Sequence, residues 1–297
     1  MIILTFDLED WFHILDCPQT KTEQEWKQYR PRIHANTDRL LSLLDEKGRK
    51  ATFFCLGWIA REFPGVIRSI SDAGHDIASH SMMHQLVYTQ SRNSFRSDVA
   101  QSISLLEDLT GKAVRAYRAP GFSITRDTLW AFDILHDLGI TVDCSVFPLS
   151  HNHGGFPGLE VSGPFVLEQH GYRLKMFPMS YVKLGFKRLV VSGGGYFRLM
   201  PWYLISRFLR KEGYFMTYFH PKDFDPDQPK IPGLTAARHF KTYVGLKSSY
   251  GKLAKLLDEP GCCDLETALD RTDWKNVPVL ELTRERNLEK QMGKIKG

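Results

Sequence analysis

The sequence predicts an α/β fold with a parallel sheet, either open or closed into a barrel. Short apolar runs, rich in β-branched and aromatic residues, recur along the chain as buried strands do. Each run is followed by a stretch with apolar residues at helical spacing, and most runs end in polar residues. Repeated units of this kind are typical of parallel sheets with connecting helices.

The strand candidates occupy seven positions along the chain, and they read "IILTF", "ATFFCLG", "HDIASH", "VRAYRAPG", "ITVDCSVFP", "RLKMFPMS" and "YFMTYFHP". The connecting helices are predicted over "NTDRLLSLLDEKG", "PGVIRSISDAG", "SFRSDVAQSISLLEDLTG", "RDTLWAFDILHDLG" and "PWYLISRFLRKEG". In the first of these helices Asn36 or Thr37 is a suitable N-cap, and Gly48 a suitable stop.

The rhythm of strands and helices breaks between residues 148 and 200, where glycine and proline are frequent and loops are expected. We interpret "SGGGYF" in this region as a turn that covers substrate, because it lacks the lysine and spacing of a nucleotide loop. After the linker-like "DPDQPKIPG" we predict a helix over "KSSYGKLAKLLDE" and a strand over "VPVLELT". The expected organisation is one domain over residues 1–297, with a core of about 1–225 and a C-terminal extension of 226–297.

The composition narrows the class of function. With 39 basic and 34 acidic residues the net charge is +5, and no basic run is long or aromatic enough to indicate nucleic acid binding. A mild basic excess also suits phosphate-bearing substrates or an anionic membrane face. Five cysteines favour a reducing compartment, and "MIILTFDLED" resembles no secretory signal. No run of apolar residues is long enough to span a membrane, so we expect a cytoplasmic protein.

Four strand ends carry chemically reactive groups. They are "TFDLED" at 5–10, "HSMMH" at 80–84, "YRAPG" at 117–121 and "YFHPKDFD" at 218–225. The carboxyl ends of parallel strands meet at one rim, so distance along the chain does not prevent these groups from meeting.

Together these groups are typical of a metal-dependent hydrolase. His80, His84 and one carboxylate would hold a divalent ion with an open position, and a second carboxylate would act as the base. Arg118 would pair with that base, and His220 would act as the general acid. Each motif alone also has an ordinary explanation, such as a helix cap, a structural ion pair or an isolated histidine.

On these residues the chain resembles the polysaccharide deacetylases of carbohydrate esterase family four. "TFDLED", "HSMMH", "YRAPG" and "YFHP" correspond to successive motifs of that family in the family's order, over about residues 1–225. The segments "DLEDWFH", "SGGGYFRLMP", "FHPKDFDPDQP" and "RHF" further resemble a bacterial subgroup associated with exopolysaccharide and surface-antigen biosynthesis.

The resemblance implies a distorted barrel of about seven parallel strands, a divalent metal that is usually zinc, and hydrolysis of the N-acetyl group of an amino sugar. The implied roles are Asp7 as base, His80 and His84 as ligands, Arg118 as the residue that orients the base, and His220 as acid. For the metal carboxylate, Glu9 and Asp10 both remain open. Asp143 and Ser145 would support the base and Arg118, or the rim.

Substrate contacts are expected from aromatic faces and from backbone groups near the rim, and the candidates are Trp11, His13, Gly121, Phe122 and Tyr196. The expected partner is an N-acetyl amino sugar, in a polysaccharide, in a nucleotide-linked precursor, or in a lipid-linked precursor at the inner membrane face. Two alternatives remain: hydrolysis of another amide, such as a cyclic ureide or a formyl group, and an inactive carbohydrate-binding protein. The sequence predicts no oligomeric state.

Overall fold

The computed structural model describes residues 1–15, 17–184, 187–231 and 233–283, so the basic segment "KQMGKIKG" lies outside the described residues. The strands are β1 (Ile2–Ile3), β2 (Thr5–Leu8), β3 (Thr52–Cys55), β4 (Asp76–Ser79), β5 (Ala116–Tyr117), β6 (Val142–Asp143), β7 (Phe165–Gln169), β8 (Tyr172–Met176), β9 (Val182–Leu184), β10 (Lys187–Leu189), β11 (Phe215–Met216), β12 (Cys262–Cys263) and β13 (Val279–Leu280).

The helices are α1 (Glu23–Trp26), α2 (Ile33–Glu46), α3 (Gly57–Glu62), α4 (Pro64–Asp72), α5 (Arg92–Thr110), α6 (Trp130–Asp137), α7 (Gly194–Leu199), α8 (Trp202–Lys211), α9 (Ala236–Tyr243), α10 (Leu246–Asp258) and α11 (Leu265–Arg271). In the described part of the chain, no helix is both long and apolar enough to cross a membrane.

The central sheet is mostly parallel, as predicted. Strands β2, β3, β4, β5, β6 and β8 pair in parallel in that order. Strand β1 lies between β11 and β12, and a parallel bridge from Phe6 to Phe219 continues the β11 side toward β2. All seven predicted strand positions are therefore confirmed. Among the described residues, no continuous ladder of hydrogen bonds joins β8 to β11, so the sheet is not closed into a barrel there. After β11, the Tyr218 N–H donates instead to the carbonyl oxygen of Ser192.

An antiparallel hairpin was not predicted. Strands β7 and β8 pair in antiparallel fashion around a two-residue turn in which His170 and Gly171 have φ values of 48° and 84°. Positive φ at both turn residues is the geometry that matches the twist of a tight hairpin. The predicted strand in "VPVLELT" is confirmed as β13, which pairs with β7.

Helix α5 shows why the helical spacing was readable from the sequence. The Ser91 side chain accepts a hydrogen bond from the Ser94 N–H at its start, and Gly111 ends the helix with φ 68°. Phe95, Val99, Ile103 and Leu106 are buried, as their register predicted. The predicted helix over "KSSYGKLAKLLDE" is likewise confirmed as α10.

Two local predictions were wrong. Helix α2 begins at Ile33, before Asn36 and Thr37, which are both buried inside it. The cap comes instead from a distant carboxylate, because Asp10 accepts hydrogen bonds from the N–H groups of Arg32 and Ile33. The segment "SGGGYF" is not a turn: it enters helix α7, which starts at Gly194.

Candidate active site

The four predicted strand ends meet at one rim of the sheet. Asp7 lies in β2, His80 directly follows β4, Arg118 directly follows β5, and His220 follows the β11 segment. Asp7, His80 and Arg118 are at most 3% exposed. Parallel pairing of the strands carries these side chains to the same side, as expected from the order of the motifs.

Three side chains form a cluster whose composition fits a divalent metal. Each of Glu9, His80 and His84 offers one ligand atom, and these atoms lie within 4.8 Å of one another. Oε1 of Glu9 is 2.8 Å from Nε2 of His84 and 3.3 Å from Nε2 of His80. Two imidazoles and one carboxylate are a ligand set of catalytic zinc sites, in which further positions stay open to water.

The "HSMMH" segment brings its histidines together as a loop and not as a helix. Ser81 and His84 have φ values of 69° and 53°. The carboxylate of Asp98 in α5 accepts the backbone N–H groups of Met82 and Met83 at 2.7 and 3.1 Å, which holds the loop in this shape.

The tautomer of His80 suits metal binding. Its Nδ1 lies 2.8 Å from the carbonyl oxygen of Arg118. A carbonyl can only accept, so Nδ1 carries the proton and the Nε2 lone pair points toward Glu9.

Asp10, the alternative metal carboxylate, does not join the cluster. Its Oδ1 accepts the N–H of Trp11 at 2.8 Å, and its Oδ2 accepts the N–H groups of Arg32 and Ile33 at 2.9 and 3.1 Å. Burial raises the pKa of Asp10, although these hydrogen bonds oppose the rise. The expectation for Asp10 is therefore corrected, since both oxygens are occupied, and Glu9 is the carboxylate beside the histidines.

Lys222, which the sequence argument did not single out, fixes the other side of Glu9. Its Nζ donates to Oε2 of Glu9 at 2.8 Å and to the carbonyl of His13 at 3.2 Å. Burial alone would raise the pKa of Glu9, but the charges of His84 and Lys222 hold it well below the ordinary value. One carboxylate oxygen thus faces the histidines, and the other faces the lysine.

Asp7 and Arg118 form a buried ion pair next to the cluster. Nη1 of Arg118 donates to Oδ1 of Asp7 at 2.6 Å, and the guanidinium carbon lies 4.1 Å from the ring centre of Phe54. Oδ2 of Asp7 lies 3.9 Å from Nε2 of His220. Arg118 therefore holds one oxygen of Asp7 and leaves the other directed toward the reaction space.

His220 is held by an aspartate that the sequence argument missed. Its backbone N–H donates to Oδ2 of Asp223 at 2.9 Å, and its Nδ1 lies 3.1 Å from the same oxygen. Nε2 of His220 then faces Oε1 of Glu9 at 3.7 Å. Burial alone would lower the pKa of His220, but the carboxylates of Glu9 and Asp223 outweigh it, so the pKa lies above the ordinary value.

The glycine run of "SGGGYF" makes room for this arrangement. A Cβ atom on Gly194 would lie 2.2 Å from the carboxylate oxygens of Asp223, and one on Gly193 would lie 1.8 Å from the Tyr218 ring. Nε of Arg198, in the last turn of α7, lies 3.5 Å from Oδ1 of Asp223. The signal for Asp223 in the sequence was an acid three residues after His220.

Asp143 and Ser145 support the rim backbone. Asp143 accepts the Ser145 N–H at 2.8 Å and the Ser145 hydroxyl at 2.7 Å, and Ser145 Oγ accepts the N–H of Ala119 at 2.9 Å. Burial raises the pKa of Asp143 to about 7. These hydrogen bonds connect to Ala119, next to Arg118, rather than to Asp7.

A cavity of about 700 Å³ opens above the cluster, and four of the five predicted substrate residues line it. These are His13, Gly121, Phe122 and Tyr196. Tyr196 is 50% exposed at the mouth, whereas His13 is buried and accepts the N–H of Asp10 through Nδ1.

Trp11 does not line the cavity. It is 4% exposed, packs against Phe12 and Tyr29, and donates its indole N–H to the carbonyl of Arg30. The expectation that Trp11 offers a face to a sugar ring is therefore corrected. The backbone N–H of Phe122 is likewise occupied, because it donates to the carbonyl of Ala119.

Two family models divide the chain. Residues 1–142 match the polysaccharide deacetylase model, and residues 144–270 match a model described as a domain of unknown function, DUF3473. Residues 1–142 therefore resemble the polysaccharide deacetylase family. Asp7, Glu9, His80 and His84 lie in this polysaccharide deacetylase segment, whereas His220 lies in the DUF3473 segment, so both segments supply the site.

The curated relatives align with part of the chain. A peptidoglycan-N-acetylglucosamine deacetylase from Bacillus cereus is 27% identical over 134 residues, which is 41% of this chain and 48% of the relative. A chitin deacetylase from Pestalotiopsis sp. is 30% identical over 123 residues, 40% of each chain. The chain thus spans less than half the length of these relatives.

Solved structures share the fold at low identity. The crystal structure of a protein assigned as a polysaccharide deacetylase from Mycobacterium smegmatis has a TM-score of 0.66 and 19% identity, covering 96% of this chain and 94% of that one. A CE4 family pseudoenzyme from Bacillus anthracis has a TM-score of 0.50 and 14% identity, covering 95% and 69%. The α/β fold is therefore shared, and it occurs in a protein described as inactive.

Proposed function

We propose that the protein is a metal-dependent N-deacetylase that removes the acetyl group from an N-acetylated amino sugar during bacterial surface glycan biosynthesis. The observation that carries the proposal is the cluster of Glu9, His80 and His84 beside the Asp7–Arg118 pair and His220. The family of residues 1–142 and the deacetylase names of the relatives support the same reaction.

A divalent metal, for which we propose zinc, would polarise the acetamide carbonyl and lower the pKa of bound water when held by Glu9, His80 and His84. Asp7 accepts the proton of the attacking water through the oxygen that Arg118 leaves free.

His220 then donates a proton to the departing nitrogen as the carbon–nitrogen bond breaks. The acetyl carbon keeps the water oxygen, so the products are acetate and a free amine. The Asp223 contact keeps Nδ1 of His220 engaged and directs Nε2 into the cavity.

Two other functions compete with this proposal. Hydrolysis of another amide, such as a cyclic ureide or formyl group, needs the same metal and base, and the cavity shape would decide between them. An inactive carbohydrate-binding protein is a stronger alternative because the fold also occurs in a pseudoenzyme. The intact set of base, acid and metal donors in this chain argues against loss of catalysis.

We further propose that the substrate is a precursor linked to a lipid or a nucleotide, acted on at the cytoplasmic face of the membrane. All five cysteines are buried and free, which suits a reducing compartment. The basic excess of the chain suits a substrate or surface that carries phosphate.

The test is acetate release from a panel of nucleotide-linked and oligomeric N-acetyl sugars, with formyl sugars and cyclic ureides as competing substrates and metal supplied. Asp7→Asn and His220→Ala should each fold and lose about 10²- to 10⁴-fold in turnover. The exposed residues Asp38 and His34 offer matched controls, since Asp38→Asn and His34→Ala should keep turnover. Wild-type turnover in either site variant would refute the role given to that residue.

A further inference from the structure

The positive charge of the chain is concentrated in two segments. Residues 187–211 and 230–257 together hold twelve lysines and arginines and no aspartate or glutamate. The rest of the chain holds 27 basic and 34 acidic residues and is therefore net negative. Because the excess of positive charge is confined to two segments, we expect these segments to form a basic surface that binds a negatively charged partner.

Contacts tie helix α7 to α9 and α10, and we infer that the two segments form one surface, which we call the basic face (residues 187–211, 230–231 and 233–257). Arg198 in α7 donates to the carbonyl oxygens of Thr242 and Lys241 at 2.7 and 2.9 Å. Lys252 in α10 donates to the carbonyl of Met200 at 2.8 Å. Helices α7, α9 and α10 are thus tied together by two of the basic residues, and α8 continues directly from α7.

The remaining basic side chains of this face include exposed ones. Arg207, Arg210 and Lys211 are exposed on α8, and Lys241 is exposed on α9. Their charges are available to a binding partner, whereas those of Arg198 and Lys252 serve the fold.

Large apolar side chains are exposed on the same face. Of the six exposed large hydrophobic residues among those described, four lie here: Tyr196, Leu199, Tyr203 and Phe240 are 50%, 52%, 67% and 56% exposed. Helix α9 buries none of its residues. Exposed apolar groups gathered on one surface indicate an interaction site.

The active-site cavity borders this face on one side, and residues 149–152 line it on another. Tyr196, Leu199, Phe240 and Lys241 all line the cavity. Its acidic lining residues are Asp7, Glu9 and Asp223, and all three are buried in the site. A partner that reaches the mouth therefore meets aromatic, aliphatic and basic groups.

We propose that the basic face docks on an anionic phospholipid bilayer, with the mouth of the cavity turned toward the lipid. Aromatic and aliphatic side chains flanked by lysine and arginine are the pattern by which helices lie in the interface of such a bilayer. Two other partners fit less well. A nucleic acid would not need the exposed aliphatic side chain, and a neutral glycan would not need the lysines and arginines that are concentrated on this face. Resting on the proposed function, this docking would present membrane-attached amino sugars to the metal cluster.

The first experiment is flotation of the full chain with vesicles of phosphatidylcholine alone and of phosphatidylcholine mixed with phosphatidylglycerol. We expect binding to the anionic vesicles that weakens as salt is raised. Equal binding to both vesicle types, or no binding to either, would overturn the proposal. Binding to a soluble polyanionic glycan without binding to the anionic vesicles would overturn it as well.

Variants locate the surface. Arg207→Gln with Lys211→Gln should weaken partitioning to anionic vesicles by on the order of tenfold or more, since each basic residue near the surface contributes severalfold. The matched control removes two exposed charges in the polysaccharide deacetylase segment, with Arg68→Gln and Lys112→Gln. An equal loss in this control would show that net charge alone acts, and would contradict the assigned face.

The apolar contribution is tested in the same assay. Tyr203→Ser should weaken vesicle binding, whereas Tyr88→Ser, at a tyrosine that is 45% exposed in the other segment, should not. Asp7→Asn should float as the wild type does. Vesicle binding without acetate release from any sugar would reject the proposed function alone, and acetate release without vesicle binding would reject the docking face alone.

Discussion

Replacing Arg118 by methionine should destabilise the protein strongly, because it leaves a buried carboxylate without its partner. Arg118 is 0% exposed and Asp7 3% exposed, so water screens the remaining charge only weakly, from the cavity side of Asp7. Breaking a buried ion pair by removing one partner commonly costs about 3–5 kcal/mol. Methionine retains much of the apolar contact with Phe54, so the loss reports mainly on the charge.

Removing both charges should recover much of this loss. In the double variant, Asp7→Asn with Arg118→Met, neither side chain is charged. We expect this variant to be about 2–3 kcal/mol more stable than the added losses of the two single variants would predict. The assay is urea unfolding followed by tryptophan fluorescence, with chelator present so that metal binding does not contribute.

A surface pair provides the control. Arg96 pairs with Asp137, but the side chains are 44% and 54% exposed, so Arg96→Met should cost less than about 1 kcal/mol. The reasoning is refuted if Arg118→Met costs no more than this control, or if the double variant loses as much as the two single variants together.

The remaining predictions concern the metal and acid stability. Elemental analysis should find a divalent metal in the wild type and none in His80→Ala with His84→Ala, and a fully active metal-free wild type would contradict the assignment. Burial lowers the pKa of His75 to about 4 from 6.5, so its contribution to stability is present above pH 6.5 and is lost as the pH falls toward 4. Between about pH 7 and about pH 5 this amounts to about 2 kcal/mol of unfolding free energy. His75→Asn keeps an acceptor for the Ala51 N–H. It should reduce the pH dependence of the unfolding free energy measured in urea, and an unchanged pH dependence would show that His75 is not its source.

The seven parallel strand positions were predictable because each combines a short apolar run with a polar end. The β7–β8 hairpin was not, because its turn residues, His170 and Gly171, lack the asparagine–glycine or aspartate–glycine signal. The start of α2 could not be placed either, since its cap is Asp10, more than twenty residues earlier in the chain. Caps supplied by distant residues leave no local trace.

The site was predictable at the level of its motifs but not of its geometry. Neighbouring carboxylates such as Glu9 and Asp10 are equivalent by spacing, and only the turn after β2 sends one to the histidines and the other to α2. Lys222 and Asp223 lie two and three residues after His220, yet their roles depend on contacts with Glu9 and Arg198 from other parts of the chain. The likeness to the surface-glycan subgroup stays a prediction.

Strand β1 has its neighbours far along the chain, since Ile2 pairs with Phe215 on one side and Cys262 on the other. During synthesis by the ribosome this strand emerges more than 200 residues before either neighbour exists. Pairing strands this distant in sequence slows folding, and an unpaired apolar edge can associate with other chains while it waits. The final step of core assembly, and with it the union of Asp7 with His220, must therefore follow translation of the DUF3473 segment.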